Sequence, residues 1–161
     1  MTFEIACVES MQALAACIGK ALTKGDVVGL IGDLGTGKTT LSKGMGSALG
    51  VEGHMSSPSY TIVNMYACHL GALYHADVYR IDDVAQLDDI GFFDYLHEKG
   101  VVLVEWADKI KADLLLETDQ YIELQLSPSA SGEGRIVHVS GYAAFEERFK
   151  ALEVNHASFG F

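Results

Sequence analysis

The chain has 161 residues, of which 22 are acidic and 11 are basic, so its formal net charge at neutral pH is −11. This length predicts a single domain over residues 1–161 that folds without disulfide or metal staples, and the acidic surface argues against tight binding of tRNA or DNA by this chain alone. Three widely spaced cysteines without a C-x-x-C pair, no signal-peptide pattern and no apolar run of membrane-spanning length predict a cytoplasmic protein with no membrane association.

The first part of the chain alternates helical and strand patterns. Apolar residues at helical spacing predict a helix over Ser10–Lys24, and the apolar run Val27–Ile31 predicts a buried strand. A glycine-rich loop follows, and a second helix is predicted over Thr39–Leu49. Gly44 and Gly46 weaken that helix by propensity, so we expect it to pack closely against a neighbouring element.

The remainder of the chain adds further strands and short helices. The strands are predicted over Ser59–Ala67, Ala72–Arg80, Val101–Trp106, Tyr121–Leu126 and Arg135–Tyr142. The helices are predicted within Val84–Lys99, where Gly91 interrupts the pattern, and over Ala107–Leu116 and Ala143–Leu152, before a flexible tail over 153–161. Because the first two of these strands form a hairpin, we expect an α/β layered domain whose sheet mixes parallel and antiparallel pairs.

The loop between the first strand and the second helix carries the clearest chemical signal. Residues 32–39 read GDLGTGKT and fit the pattern G-x-x-x-x-G-K-[ST]. Glycines let such a loop curl so that its N–H groups point at phosphate oxygens, and the following helix adds its positive end. Lys38 then reaches the β and γ phosphates, and the Thr39 hydroxyl binds Mg²⁺.

Two further segments carry carboxylates that could complete such a site. Glu105 ends an apolar strand, where a second Mg²⁺ ligand is expected, although a strand-end glutamate can also simply face water. His75, Asp77 and Tyr79 alternate along a predicted strand and share a face; they either orient water or pair with Lys38, or they form only a polar outer face. The hydroxyl-rich segment 56–61 lies where a switch loop or a plain polar loop is expected.

Four blocks of the sequence, taken in order, resemble the TsaE (YjeE) family, the small ATPases of bacterial tRNA threonylcarbamoyladenosine synthesis. The blocks are GDLGTGKTT, SPSYT, HADVYR and LVEW. A phosphate-binding loop alone occurs in many NTPases, whereas this combination is specific. With the flanking helices and the later GEGR segment, the resemblance covers nearly the whole chain.

The resemblance implies a three-layer P-loop NTPase-like fold with a mixed sheet, and weak hydrolysis of ATP with Mg²⁺. It implies action on the TsaB and TsaD subunits, which modify adenosine 37 of ANN-decoding tRNAs. From the acidic surface we expect tRNA to be reached only through those partners, and we expect a monomer when the chain is alone. The residues implied to contact ATP are Ser10, Asp33, Gly35, Thr36, Gly37, Lys38, Thr39, Thr40 and Arg135. Thr39 and Glu105 are implied as Mg²⁺ ligands, and Lys38, Asp77 and Glu105 as catalytic residues.

Two other functions remain open at this stage. A small-molecule P-loop kinase is the main alternative, but such enzymes clamp the transferring phosphoryl group with several arginines. This chain has only Arg80, Arg135 and Arg148, widely spaced, and no clear lid insertion. A GTPase-like switch is the other alternative, and the N-K-x-D string that guanine readers of that class usually carry is absent.

Overall fold

The computed structural model describes residues 1–98, 100–130 and 132–155, with side chains described up to residue 152. A seven-stranded sheet forms the centre of the molecule, with the strand order β1-β7-β6-β2-β5-β4-β3. The strands are β1 Thr2–Ile5, β2 Val27–Ile31, β3 Val63–Cys68, β4 Gly71–Asp77, β5 Gly100–Glu105, β6 Tyr121–Pro128 and β7 Arg135–Gly141. The helices are α1 Val8–Ala21, α2 Lys38–Ala48, α3 Ala85–Asp89, α4 Asp94–His97, α5 Lys111–Glu117 and α6 Ala143–Asn155.

Parallel pairing is confined to the middle of the sheet. Strand β2 lies between β5 and β6 and runs parallel to both, and β4 runs parallel to β5. The pairs β3–β4, β6–β7 and β1–β7 are antiparallel. The predicted α/β fold with a mixed sheet is therefore confirmed, and the carboxyl ends of β2, β4 and β5 meet at one edge.

Helices cover both faces of the sheet, as expected for a three-layer domain. Side chains of β2 alternate between the two layers, with Val28 and Leu30 on one side and Val27 on the other. The first layer contains buried residues of α1, α2 and α6, and the second contains those of α3, α4 and α5. Strand β5 is buried along its whole length, as the continuous apolar run predicted.

The two glycines of α2 explain how closely that helix packs. A Cβ atom at Gly44 would lie 2.5 Å from the Ala15 Cβ on α1, and one at Gly46 would lie 2.1 Å from the Met55 sulfur. The prediction of close packing at these positions is confirmed. The Gly44 contact fixes α2, and with it the end of the glycine loop, against α1.

Several predicted bounds were wrong, each for a local reason. The hairpin is present, but its first strand begins at Val63 because Ile62 adopts a φ of 66°, which no strand accommodates. Its second strand ends at Asp77 instead of Arg80. Strand β1 was not predicted, because four residues carry too little pattern.

The helical predictions differ from the structure mainly at their ends. Helix α1 begins at Val8 and ends at Ala21, and Gly25, with a φ of 93°, lies in the turn after it. The predicted helix over Ala107–Leu116 is divided into a 3₁₀ turn, Ala107–Lys109, and α5. Helix α6 continues through Asn155, and the rest of the predicted tail lies outside the described residues. No helix in the described ranges is long and apolar enough to cross a membrane.

Candidate nucleotide-binding site

The glycine loop connects the carboxyl end of β2 to the amino terminus of α2. Gly35 and Gly37 adopt φ values of 78° and 108°, which only glycine takes without strain. Helix α2 begins at Lys38, directly after the loop. The loop therefore curls ahead of a helix whose first N–H groups are free for an anion, as the motif predicted.

Lys38 is folded back into the loop. Its Nζ donates to the carbonyl oxygens of Gly32 and Asp33 at 2.6 and 2.9 Å, and it lies 3.7 Å from the centre of the Trp106 ring. Burial lowers the pKa of Lys38, and the nearby carboxylates of Glu105, Asp77, Asp108 and Asp33 oppose that shift. The ammonium is thus held among carbonyls and an aromatic face at the mouth of the loop.

Glu105 lies at the end of β5 and is almost completely buried, with 2% of its surface exposed. Its Oε2 accepts a hydrogen bond from Thr39 Oγ1 at 2.8 Å, and its Oε1 accepts from Ser42 Oγ at 3.2 Å. The Nε2 of His75 lies 2.8 Å from the same Oε1. A glutamate that simply faces water is therefore excluded.

Asp77 ends β4, where it is paired in register with Glu105 on β5. Its Oδ2 accepts a hydrogen bond from Ser59 Oγ at 3.3 Å, and its Oδ1 accepts from the Tyr79 N–H at 2.9 Å. His75 and Asp77 share a face of the strand as predicted. Tyr79 lies beyond the strand end, and its ring packs against Trp106 at 4.7 Å instead.

These groups surround a cavity of about 360 Å³ at the carboxyl edge of the sheet. Its lining comes from the glycine loop, the start of α2, the serine-rich segment and the ends of β4 and β5. The lining residues include Lys38, Thr39, Thr40, Ser57, Ser59, Asp77, Glu105 and Trp106. The predicted phosphate, metal and catalytic residues are therefore brought together in one place.

A second cavity, of about 320 Å³, lies on the other side of the loop. It shares Gly35, Gly37 and Thr40 with the first. Its other walls come from the end of β1, the start of α1 and the turn between them, and from residues at and just before the start of β7: Ile5, Ala6, Cys7, Val8, Met11, Glu133, Gly134 and Arg135. Thr36 also lines it, and its hydroxyl donates to Asp33 O at 2.8 Å. We refer to the two cavities together as the groove. The first, lined by the predicted phosphate-binding residues, is called its phosphate end, and the second, whose walls include Ile5, Val8 and Met11, is called its nucleoside or apolar end.

Of the predicted ATP contacts Arg135 and Ser10, the first lines this second cavity and the second does not. Arg135 lines this cavity and donates from Nη2 to Gly35 O at 3.3 Å. Ser10 lies in the first turn of α1, and its hydroxyl donates to Cys7 O at 2.9 Å and accepts from the Cys7 N–H at 3.2 Å. Among the described residues that line the cavity, Cys7, Val8 and Met11 stand where the sequence suggested Ser10.

Ser42 is a site residue that the sequence reasoning missed. Because it lies three residues after Thr39 on α2, it shares a helix face with Thr39, and that spacing could have identified it. His75 was considered only as part of an alternating row. Its contact with Glu105 could not be read from one strand, since it depends on β4 being parallel and adjacent to β5.

The donor set fits Mg²⁺ bound together with a nucleotide. Within the described residues, no group of three or more His, Cys, Asp or Glu side chains is arranged to hold a metal. Mg²⁺ in nucleotide sites usually takes one or two protein oxygens and completes its shell with phosphates and water. The buried Glu105 carboxylate, joined to the Thr39 hydroxyl, supplies hard oxygens of that kind.

Comparison with known proteins gives a consistent result. The family model described as "Threonylcarbamoyl adenosine biosynthesis protein TsaE" matches residues 5–137. A Bacillus subtilis protein named tRNA threonylcarbamoyladenosine biosynthesis protein TsaE is 41% identical over 114 residues, which is 71% of each chain. A Mycobacterium bovis protein of the same name is 34% identical over 137 residues, 80% of each chain. The crystal structure of Bacillus subtilis YdiB superposes with a TM-score of 0.75 at 30% identity, covering 97% of this chain and 95% of that one.

Proposed function

This chain belongs to the TsaE family, and from that premise we propose that it is a Mg²⁺-dependent ATPase that supports the formation of threonylcarbamoyladenosine in tRNA. The name carried by its relatives supplies the pathway. The residues that line the groove described above support ATP hydrolysis with Mg²⁺. The resemblance suggests the TsaB–TsaD complex and adenosine 37 of ANN-decoding tRNAs as the place of action.

The observation that carries the proposal is the contact between Thr39 and Glu105. These residues are 66 positions apart in the chain, yet the hydroxyl and the carboxylate meet at 2.8 Å. One belongs to the phosphate-binding loop and the other to the end of the neighbouring parallel strand. That is the pairing by which P-loop enzymes hold Mg²⁺ beside the β and γ phosphates.

Each residue of the phosphate end has a role set by its chemistry. The N–H groups of the curled loop and of the first turn of α2 bind phosphate oxygens. Lys38 exchanges its two carbonyl partners for phosphate oxygens and neutralises part of their charge. Mg²⁺, held by Thr39 and Glu105, would neutralise the charge that develops on the phosphates during hydrolysis. The Trp106 ring lies against the Lys38 ammonium.

In this proposal, Asp77 is the carboxylate that acts on the attacking water. It lines the same cavity as Lys38, and among the described residues its two oxygens meet a serine hydroxyl and a main-chain N–H but no bonded cation. The carboxylate is therefore available to orient water or to accept its proton. Ser59 links this group to the serine-rich segment, so movement of that segment alters the position of Asp77.

The acidic surface agrees with work inside a complex. With a net charge of −11, the chain repels the tRNA backbone, and tRNA is reached through basic partner subunits. The isolated chain should therefore show negligible retention of tRNA in a gel shift at physiological salt, and tight binding would contradict this part of the proposal.

The kinase alternative finds little support in where the arginines lie. Arg148 is bonded to Asp26 and to the Ala21 carbonyl, away from the groove. Arg135 lines the nucleoside end, and Arg80 stacks on the ring of Tyr60 at 4.6 Å. A phosphoryl-transfer enzyme needs several cations around the transferred group. A screen of nucleosides and nucleotides as phosphoryl acceptors would reveal such an activity.

The test of the proposal is a reconstituted tRNA-modification assay with the partner subunits. Lys38→Ala and Glu105→Ala should each abolish repeated turnover. Lys150→Ala and Glu117→Ala serve as matched controls, because both residues pair with neighbours on the exposed surface, and they should leave turnover unchanged. Undiminished turnover by both site variants would overturn the proposal.

A further inference from the structure

His75 is a fully buried imidazole with one polar partner in the part of the chain that the structure describes. It is 0% exposed, and its Nε2 lies 2.8 Å from Glu105 Oε1. Its Nδ1 has no hydrogen-bond partner among the described residues. Because an apolar side chain at this position would avoid the cost of an unpaired buried nitrogen, packing alone does not account for a histidine here.

The contact with a carboxylate fixes the direction of the hydrogen bond. A carboxylate oxygen only accepts, so the Nε2 of His75 carries the proton and donates it to Glu105 Oε1. The ring is a donor aimed at one oxygen of one carboxylate.

The other donor to that oxygen is divided between two acceptors. Ser42 has one hydroxyl proton, and its Oγ lies 3.1 Å from the Lys38 carbonyl and 3.2 Å from Glu105 Oε1. Whenever the hydroxyl donates to the helix carbonyl, Oε1 depends on His75 alone. Oε2, by contrast, has the Thr39 hydroxyl at 2.8 Å.

We propose that His75 is a positioning residue for the metal-binding carboxylate. By holding Oε1, it prevents rotation of the Glu105 carboxylate and keeps Oε2 beside the Thr39 hydroxyl, where both oxygens are available to Mg²⁺. This inference rests on the proposed Mg²⁺-dependent function. Groups that orient a metal ligand in this way typically change metal affinity by about 10- to 100-fold when they are removed.

The test compares variants that keep or remove the donor. His75→Gln extends an amide N–H to about the position of Nε2, whereas His75→Met and His75→Asn place no donor there. The measurement is the Mg²⁺ concentration that gives half of the ATP-dependent rise in melting temperature. His75→Met and His75→Asn should raise this concentration about tenfold. His75→Gln should bring the concentration most of the way back to the wild-type value. His97→Asn is the matched control, because exposed His97 contacts Glu117 in the same way at 2.9 Å.

The outcomes separate this inference from the function on which it rests. If the wild-type chain shows no Mg²⁺-dependent stabilisation by ATP, both are wrong. If the wild type is stabilised in this way, and a folded variant without the donor keeps the wild-type Mg²⁺ dependence, only the role proposed for His75 is wrong. Such a variant that differs from the wild type only in a lower melting temperature would show that His75 is merely structural. In ¹⁵N-histidine-labelled wild type, the Nε2-bound proton of His75 should also shift when Mg²⁺ and ATP are added, and an unmoved resonance would overturn the proposal even if no donorless variant folds.

Discussion

Two buried carboxylates lie at opposite ends of the central strands, and they are satisfied in different ways. Asp26 immediately precedes β2 and receives a complete set of partners, including a cation: the Thr23 N–H at 2.8 Å, the Tyr142 hydroxyl at 2.6 Å and Arg148 Nη2 at 3.2 Å. Among the described residues, Glu105, at the end of the adjacent strand, is bonded to hydroxyls and an imidazole and to no cation. The fold thus bonds a cation directly to the carboxylate at one end, whereas at the other end the Lys38 ammonium is near but is bonded to loop carbonyls.

The largest loss of stability is expected from a substitution beside Asp26. Arg148→Met should lower the free energy of unfolding by about 3 kcal/mol, because it leaves a buried carboxylate without its cation. Urea denaturation at pH 7 measures this. The matched control is Lys150→Met on the same helix, whose exposed pair with Glu146 is worth no more than about 0.5 kcal/mol. Equal effects of the two substitutions would show that Asp26 does not need its cation.

The loss in free energy of unfolding caused by Arg148→Met should depend on pH. Burial raises the pKa of Asp26, while the Tyr142 and Thr23 hydrogen bonds and the Arg148 charge oppose the rise. Removing Arg148 raises that pKa further in the folded state. An acid whose folded pKa lies above its unfolded value stabilises the fold below the unfolded pKa, and this contribution is lost as pH rises through the folded pKa. The loss caused by Arg148→Met should therefore be smaller at pH 4 than at pH 7, and an equal loss at both would contradict this.

A substitution at Glu105, in contrast, is expected to leave the free energy of unfolding unchanged or higher. Glu105→Gln keeps an acceptor for His75, and the Thr39 and Ser42 hydroxyls can rotate to suit an amide, while a buried charge with no directly bonded cation among the described residues is removed. Stability without ligand should be unchanged or higher by up to about 1 kcal/mol. The stabilisation that Mg²⁺ and ATP give to the wild type, about 2.7 kcal/mol at a hundredfold excess over Kd, should be largely lost.

Thermal unfolding with and without Mg²⁺ and ATP checks both halves of this expectation. Glu117→Gln, at an exposed carboxylate, is the control and should respond to ligand like the wild type. If Glu105→Gln were as destabilising as Arg148→Met, the contrast between the two carboxylates would fail. Glu105 would then be a structural anchor like Asp26.

The parts of the fold that could be predicted are those whose signal lies within one element. The buried run that forms β5, the hairpin and the close packing of α2 at Gly44 all follow from local pattern. Strand β1 was missed because it is held by pairing with β7 across the whole chain. The start of the first hairpin strand was missed because Ile62 takes a backbone conformation rare for a β-branched residue.

The residues of the candidate site also fall into those that the sequence could predict and those that it could not. The loop residues and Glu105 could be predicted because motif and strand end specify them one at a time. The partnership of His75 with Glu105 could not, since it requires the order of strands in the sheet. The wall formed by Cys7, Val8 and Met11 also escaped prediction, because it depends on how the β1–α1 turn lies against the glycine loop.

The smallest expected effects come from removing one hydroxyl at each end. Tyr142→Phe should cost about 2 kcal/mol, because its O–H donates to an ionisable group that is fully buried. Ser42→Ala should cost about 0.5 kcal/mol or less, because its proton is shared with the Lys38 carbonyl and His75 still donates to Glu105 Oε1. Urea denaturation of both variants measures the difference. A larger loss for Ser42→Ala would mean that Glu105 relies on the serine, and His75 would then have no special part in holding that carboxylate.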